Sequence, residues 1–186
     1  MRIISGNLKG KSINFIKNIT TRPLKDSVRE NIFNILDHSN LFNIKIKNSN
    51  ILDLYSGIGS FGIESISREA KKVTFIEQDI NAYNILRDNL RRLSILDKSI
   101  ILNDKIENIL INKIKEKFNI FFFDPPYADL NYLNNLKLIK KNNIFKKNHI
   151  VIIHRNKKTE DNFGNLLRVI DTKLYGKSKI LFGFFN

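Results

Sequence analysis

The chain has 186 residues, 42% of them hydrophobic and 27% charged, which leaves room for one α/β domain with a buried core and little else. It contains no cysteine, which excludes disulfides, thiolate metal sites and cysteine nucleophiles, and no apolar run approaches the ~18 residues of a spanning helix. Lysine and arginine number 32 against 18 acids, a formal charge of +14, a field that favours a polyanionic partner such as nucleic acid or an anionic membrane surface. The same charge also suits a merely solvated surface, because the chain is rich in Lys, Asn and Ile, as codon bias can make it.

Residues 1–20 read as a short β-rich arm: Arg2-Ile3-Ile4, a turn at Gly6-Asn7, then alternation through Ile13, Phe15 and Ile16. Thr21-Arg22-Pro23 breaks the pattern, and a helix is expected over about 25–37, with Val28, Ile32, Ile35 and Leu36 along one face. A polar, basic join at 41–49 leads into a regular alternation. Strands are expected near 51–55, 72–77, 99–102, 118–123 and 149–153, with helices near 59–68, 80–93, 105–115 and 130–140 between them. Two last β-runs, 167–174 and 179–185, flank a turn at Tyr175-Gly176-Lys177 and read as a hairpin. Such alternation predicts a parallel sheet covered by helices on both faces. Phe33, Leu36, Ile63, Ile66, Ile85 and Leu86 are core candidates. The start of the chain turns polar at once and lacks the apolar stretch of a signal peptide, which predicts a cytoplasmic protein without a membrane partner. His38, His149 and His154 have no metal-ligand spacing, so no metal is expected.

The first strand of the alternation ends in Asp53-Leu54-Tyr55-Ser56-Gly57-Ile58-Gly59-Ser60-Phe61-Gly62, a G-x-G-x-x-G turn opening a helix, with Glu77 at the end of the next strand. In a doubly wound fold that crevice holds an adenosine cofactor, and an acid in Glu77's place can hold its ribose hydroxyls; the plainer alternative is a tight loop. A dinucleotide would bring its pyrophosphate toward Asp53, whereas the ammonium and sulfonium of S-adenosylmethionine suit a carboxylate there, so the methyl donor is favoured over NAD. Asp124-Pro125-Pro126-Tyr127 ends the fourth strand, again at the carboxyl end of the sheet. Two prolines stiffen the corner and leave its carbonyls free to accept, beside the carboxylate of Asp124. Paired acceptors can hold an exocyclic amine with its lone pair toward a methyl group, and Tyr127 offers a face for a base. By itself the corner could equally be a strand-ending turn. An RNA-facing arm fits the basic bias of residues 1–30, where Arg2, Lys9, Lys11, Lys17, Arg22, Lys25 and Arg29 face only Asp26 and Glu30; a solvated arm, or ion pairs for Arg22 and Arg29, is the alternative.

With these motifs the chain resembles the amino-methyltransferases of the Rossmann-like class, and among them the bacterial 16S ribosomal RNA guanine-N2 methyltransferases that modify nucleotide 966. The likeness covers nearly the whole chain. It runs through Arg2-Ile3-Ile4-Ser5-Gly6, Lys9-Gly10-Lys11, Thr21-Arg22-Pro23 with Asp26, Val28-Arg29-Glu30, Phe33-Asn34, 53–62, Glu64, Ser67-Arg68, Glu77, Asp79, 124–127 and Tyr175-Gly176. It implies an α/β Rossmann-like methyltransferase fold, a seven-stranded, mostly parallel sheet whose last strand is antiparallel. A small N-terminal β-hairpin and helix, residues 1–40, would bind RNA ahead of the methyltransferase domain, 41–186. It implies S-adenosylmethionine held by Asp53, Ser56, Gly57, Gly59, Glu77 and Asp104, and catalysis at Asp124, Pro125, Pro126 and Tyr127. RNA contacts would fall to Arg2, Lys9, Lys11, Arg22 and Arg29, the partner being 16S rRNA or the small ribosomal subunit, met by a monomer. A DNA adenine amino-methyltransferase, a nucleotide-dependent oxidoreductase and a non-catalytic RNA-binding factor are the rival readings. The sequence departs from the family pattern at Ser5, Leu24, Ser27 and His154, the last standing where an acid is expected.

Overall fold

A computed structural model of the chain describes residues 1–15, 24–39 and 42–186. Among these, seven strands form one sheet in the order β3-β2-β1-β4-β5-β7-β6. The strands are β1 (Asn50–Leu54), β2 (Lys72–Ile76), β3 (Ser99–Leu102), β4 (Phe118–Phe123), β5 (Phe145–Asn156), β6 (Leu167–Tyr175) and β7 (Ser178–Phe185). The first five run parallel, and β7 is antiparallel to both β5 and β6, as the resemblance implied. Helices α1 (Asp26–His38), α2 (Ser60–Ser67), α3 (Ile80–Arg92), α4 (Ile106–Asn112) and α5 (Tyr132–Asn142) accompany them. No helix among the described residues is long and apolar enough to cross a membrane.

The central strands are nearly continuous apolar runs because both faces of a parallel sheet are covered. Alternate side chains divide between two cores. Ile51, Val73, Phe75, Ile120 and Phe122 face one, with α1, α2 and α3; Leu52, Leu54, Ile76, Phe121 and Phe123 face the other, with α4 and α5. On the first face Phe61 stacks on Phe33 at 5.0 Å and on Phe122 at 4.0 Å between ring centres, joining α1, α2 and β4. Each such pair adds ~0.5–1.5 kcal/mol beyond its buried area. Phe33, Leu36, Ile63, Ile66 and Leu86 are buried there, and Ile85 packs at the margin.

The N-terminal arm is less of a hairpin than its alternation predicts. Its limbs meet at one bridge, Arg2 to Ser12, flanked by backbone bonds from Ile3 to Lys11, Gly10 to Ile3 and Ile13 to Met1, and Phe15 is exposed. The body supplies the missing partners. Glu64 of α2 accepts from the backbone N–H of Ile4 and Ser5, Ser67 from that of Leu8, and Asn89 of α3 from that of Asn14. Ile3, Ile13 and Leu24 enter the same core as α1 and the sheet. Ile16, Lys17, Thr21, Arg22 and Pro23 lie outside the described residues.

β5 is longer than the apolar run over 149–153, because Phe145 pairs with Phe118 across an irregularity before the regular register begins at Ile150. The strand also continues through His154 to Asn156 opposite β7. That extension carries two residues to the end of the sheet where the motifs meet.

Candidate active site

The strand order reverses between β1 and β4, and in open parallel sheets the crevice beyond such a reversal is where ligands bind. Both sequence motifs lie at that end. After β1 the chain passes through Tyr55, whose φ of 59° is uncommon for a side chain of its size, and turns into α2. Asp53, buried at the end of β1, accepts from the Gly62 N–H at 3.0 Å and ties the strand to the first turn of the helix. A Cβ on Gly59 would lie 2.3 Å from Leu86, and one on Gly62 2.2 Å from the Phe75 ring, so only glycine lets α2 sit this close. Gly57 differs. Nothing stands within 4 Å of the Cβ it lacks, so its backbone is open to a ligand.

Glu77 follows β2 and braces the same turn, its two oxygens accepting from Gly57 N–H at 2.7 Å and Asp79 N–H at 2.8 Å. Asn103, which no motif marks, donates to the Glu77 carbonyl at 2.8 Å. Ser56 turns its hydroxyl inward to the Ile76 carbonyl at 3.2 Å, which serves the turn itself. Asp104 is also engaged locally. It accepts from Lys105 N–H, Asn108 and Lys113 at the start of α4, and those hydrogen bonds, Asn108 foremost, hold its carboxyl below the ordinary value.

Burial pushes the Asp53 carboxyl well up, and the charges of Asp124 and Glu77 push further against the lowering bond from Gly62. Burial likewise raises Glu77 against the bonds from Asp79 and Gly57. Asp53, within reach of the charges of both Asp124 and Glu77, makes these strand ends rich in carboxylate, which disfavours an incoming pyrophosphate and favours a cation.

The fourth-strand corner sits beside them, the Asp124 N–H reaching the Leu54 carbonyl at 3.4 Å. Its carbonyls are not all free, contrary to what two prolines suggest. Arg155, buried beneath the corner, donates to the Pro126, Tyr127 and Asp129 carbonyls at 3.2, 3.1 and 3.4 Å. Its guanidinium also pairs with Asp161 at 3.1 Å and lies over the Tyr132 ring. Burial alone would raise the Asp161 carboxyl, but bonds from Lys179, Tyr132, Thr159 and Arg155 overcome it and hold the group below its ordinary value. Among the described residues, the Pro125 carbonyl and Oδ2 of Asp124 are left without hydrogen-bond partners, since Oδ1 is taken by His154 at 2.7 Å. Tyr127 is exposed, with its ring edge-on to His154. Arg155 carries no sequence signal, because its partners come from loops 28 and 29 residues away.

The arm presents Arg2, Lys9 and Lys11 to solvent. Arg22 lies outside the described residues. Arg29 requires a correction: it is fully buried, donating to the Arg2 carbonyl at 2.6 Å and to Asp26 at 3.1 Å, with Glu64 at 4.0 Å. A guanidinium spent on holding the arm cannot meet a phosphate.

A sheet of this order, carrying an acid-braced glycine turn and an Asp-Pro-Pro-Tyr corner at its reversal, defines a methyltransferase of the Rossmann-like class. Residues 1–184 match the family described as conserved hypothetical protein 95, and the chain belongs to that family. It is 37% identical over 166 residues to the ribosomal RNA small subunit methyltransferase D of Buchnera aphidicola, covering 83% of this chain and 82% of that one. The Haemophilus influenzae protein of the same name is 31% identical over 159 residues, covering 84% and 79%. The structure matches that of an H. influenzae protein described as a methylase, with a TM-score of 0.76 and 27% identity over 98% and 96% of the two chains. An Escherichia coli protein described as a methyltransferase shares the fold at a TM-score of 0.84 and 24% identity, over 98% and 96%.

Proposed function

We propose that the chain transfers a methyl group from S-adenosylmethionine to the exocyclic N2 amine of a guanine in the 16S ribosomal RNA of the small subunit. The observation that carries the reading is Asp124, a carboxylate with one oxygen fixed and the other free, in the crevice that the glycine turn also borders. The relatives named ribosomal RNA small subunit methyltransferase D support ribosomal RNA as the acceptor.

The crevice residues fit the methyl donor. Gly57 leaves its backbone side open, Glu77 has acceptor oxygens suited to ribose hydroxyls, and the carboxylates of Asp53, Glu77 and Asp124 suit a cation. Bound there, S-adenosylmethionine supplies an electrophilic methyl group. Asp53 acts through the loop it ties to Gly62, and Gly59 by letting α2 approach. Ser56 and Asp104 take their parts in shaping the turns on either side of Glu77.

The chain must hold the amine in line with that methyl group and offset the positive charge that grows on nitrogen. Oδ2 of Asp124 and the Pro125 carbonyl are the two acceptors for its N–H groups. Pro126 and Tyr127 keep the corner stiff under the hold of Arg155, and the exposed Tyr127 ring gives the extracted base a face. Arg2, Lys9 and Lys11 meet RNA phosphates from the exposed side of the arm, and Arg22 belongs to the same basic segment. The enzyme works as a cytoplasmic monomer on rRNA or an assembling small subunit, without a metal.

Single-turnover transfer of a labelled methyl group to small-subunit rRNA tests this. Asp124→Ala should slow the reaction by ~10²–10³ and Asp124→Asn by less, both still binding cofactor through Glu77 and the glycine turn. An unimpaired Asp124→Ala enzyme would remove the corner from the chemistry.

A further inference from the structure

A line of polar groups runs away from Asp124 through β5 to β7. His154 Nδ1 lies 2.7 Å from Asp124 Oδ1, and its Nε2 lies 2.9 Å from Ser178 Oγ. The Tyr127 hydroxyl stands 3.4 Å from the same serine oxygen, and its ring meets the imidazole edge-on at 5.8 Å. His154 is only 7% exposed, so these contacts rather than water decide its state.

The hydrogens follow from the chemistry of the groups. An ionised carboxylate can only accept, so Nδ1 carries a hydrogen toward Asp124. The neutral ring then has a lone pair on Nε2, which accepts from the Ser178 hydroxyl. Both nitrogens are engaged, and ring orientation and tautomer are set together. The groups stand in the order of a Ser-His-Asp triad, but here the acid is the member that borders the cofactor crevice.

We propose that His154 is a positioning residue for methyl transfer: it clamps Oδ1 of Asp124 so that Oδ2 alone is presented to the target amine, while Ser178 keeps the ring in its neutral Nδ1–H form. The proposal rests on the reading of Asp124 given above. A neutral clamp orients the carboxylate and leaves its charge for the nitrogen that becomes positive. A protonated ring would cancel that charge, and Ser178 would have to reverse its hydroxyl.

The groups facing the ring are Asp124 from the end of β4, Tyr127 from the loop beyond it and Ser178 from β7, with Asp53 close enough to Asp124 for their charges to interact. The adjacent cations, Arg155 on β5 and Lys179 on β7, alternate away from it, and both pair with Asp161. Asp124 is therefore the charged group that the ring touches.

The test combines single-turnover rates across pH, cofactor affinity and imidazole nitrogen NMR of the free protein. His154→Asn keeps an N–H donor without a titrating ring, His154→Phe removes the donor, and Ser178→Ala frees Nε2. The NMR spectrum should report Nδ1–H with a bare Nε2 in the wild type and a mixture of tautomers in Ser178→Ala. His154→Phe should slow transfer by up to ~10²-fold, the scale that a misplaced reacting group costs, with cofactor affinity unchanged. His154→Asn should recover most of the rate. In an Asp124→Ala background His154→Phe should cost nothing more, because it acts only through that carboxylate. A wild-type rate and pH profile in His154→Phe, additive losses in the double variant, or an Nε2–H ring in the wild type would each overturn the proposal. If Asp124→Ala is slow and His154→Phe is not, the clamp alone is wrong; if Asp124→Ala is unimpaired, the reading of Asp124 fails first.

Discussion

Glu77 and Asp53 brace the glycine turn as carboxylates while burial makes the charged form costly. Their carboxyls titrate above the ordinary value in the folded chain, so the fold binds more protons than the unfolded chain over the interval above the ordinary carboxylate range. From these two groups alone, stability is greatest below that interval and is lost as pH rises through the raised values. A cation in the crevice reverses the sense, because it favours the ionised acids. S-adenosylmethionine should therefore bind more tightly as pH rises through the interval, releasing protons, while its uncharged-sulfur product should gain less. Calorimetric titration of both ligands at stepped pH measures the difference, and Glu77→Ala should weaken binding by ~1.5–3 kcal/mol, the range for charged hydrogen bonds. A pH-independent ratio of the two affinities would remove the carboxylates from cofactor selection. The glycines, Glu77 and the Asp124 corner were legible in the sequence because each stands at a strand end, where chain order itself dictates position. Arg29, His154 and Arg155 were not, because contacts 27 to 30 residues away decide whether each faces solvent, a carboxylate or a set of carbonyls.

Among the elements, the regular alternation of strand and helix was legible from apolar period and spacing, and the terminal hairpin from its turn at Gly176. The arm was harder to read, since side chains on α2 and α3 share with its own two limbs the task of satisfying its backbone. Glu64 is the hub. It is fully buried and accepts from Ile4 N–H at 2.8 Å, Ser5 N–H at 2.9 Å and Arg68 at 3.0 Å, with Arg29 at 4.0 Å. Glu64→Ala leaves two backbone donors and the buried Arg29 without that acid, a loss of about 3–5 kcal/mol by the usual cost of breaking a buried pair. Glu64→Gln keeps an oxygen acceptor and should lose less. Thermal unfolding of the two variants checks this, and equal, negligible shifts would mean that Glu64 is not what holds the arm.

At the scale of the whole molecule, a two-faced core fixes the sheet, the strand reversal opens a crevice between β1 and β4, and the arm carries exposed cations on a chain of formal charge +14. Charge alone left nucleic-acid binding and simple solvation equally open; the corner beside the glycine turn favours a nucleic-acid base as acceptor. Methylation of rRNA by this chain is tested by mass-spectrometric mapping of N2-methylguanosine in small-subunit rRNA from cells lacking the gene, complemented with wild type or Asp124→Ala. The mark should be lost at one guanine, return with the wild-type gene and stay absent with the variant. An rRNA methylation pattern unchanged by removal of the gene would contradict it.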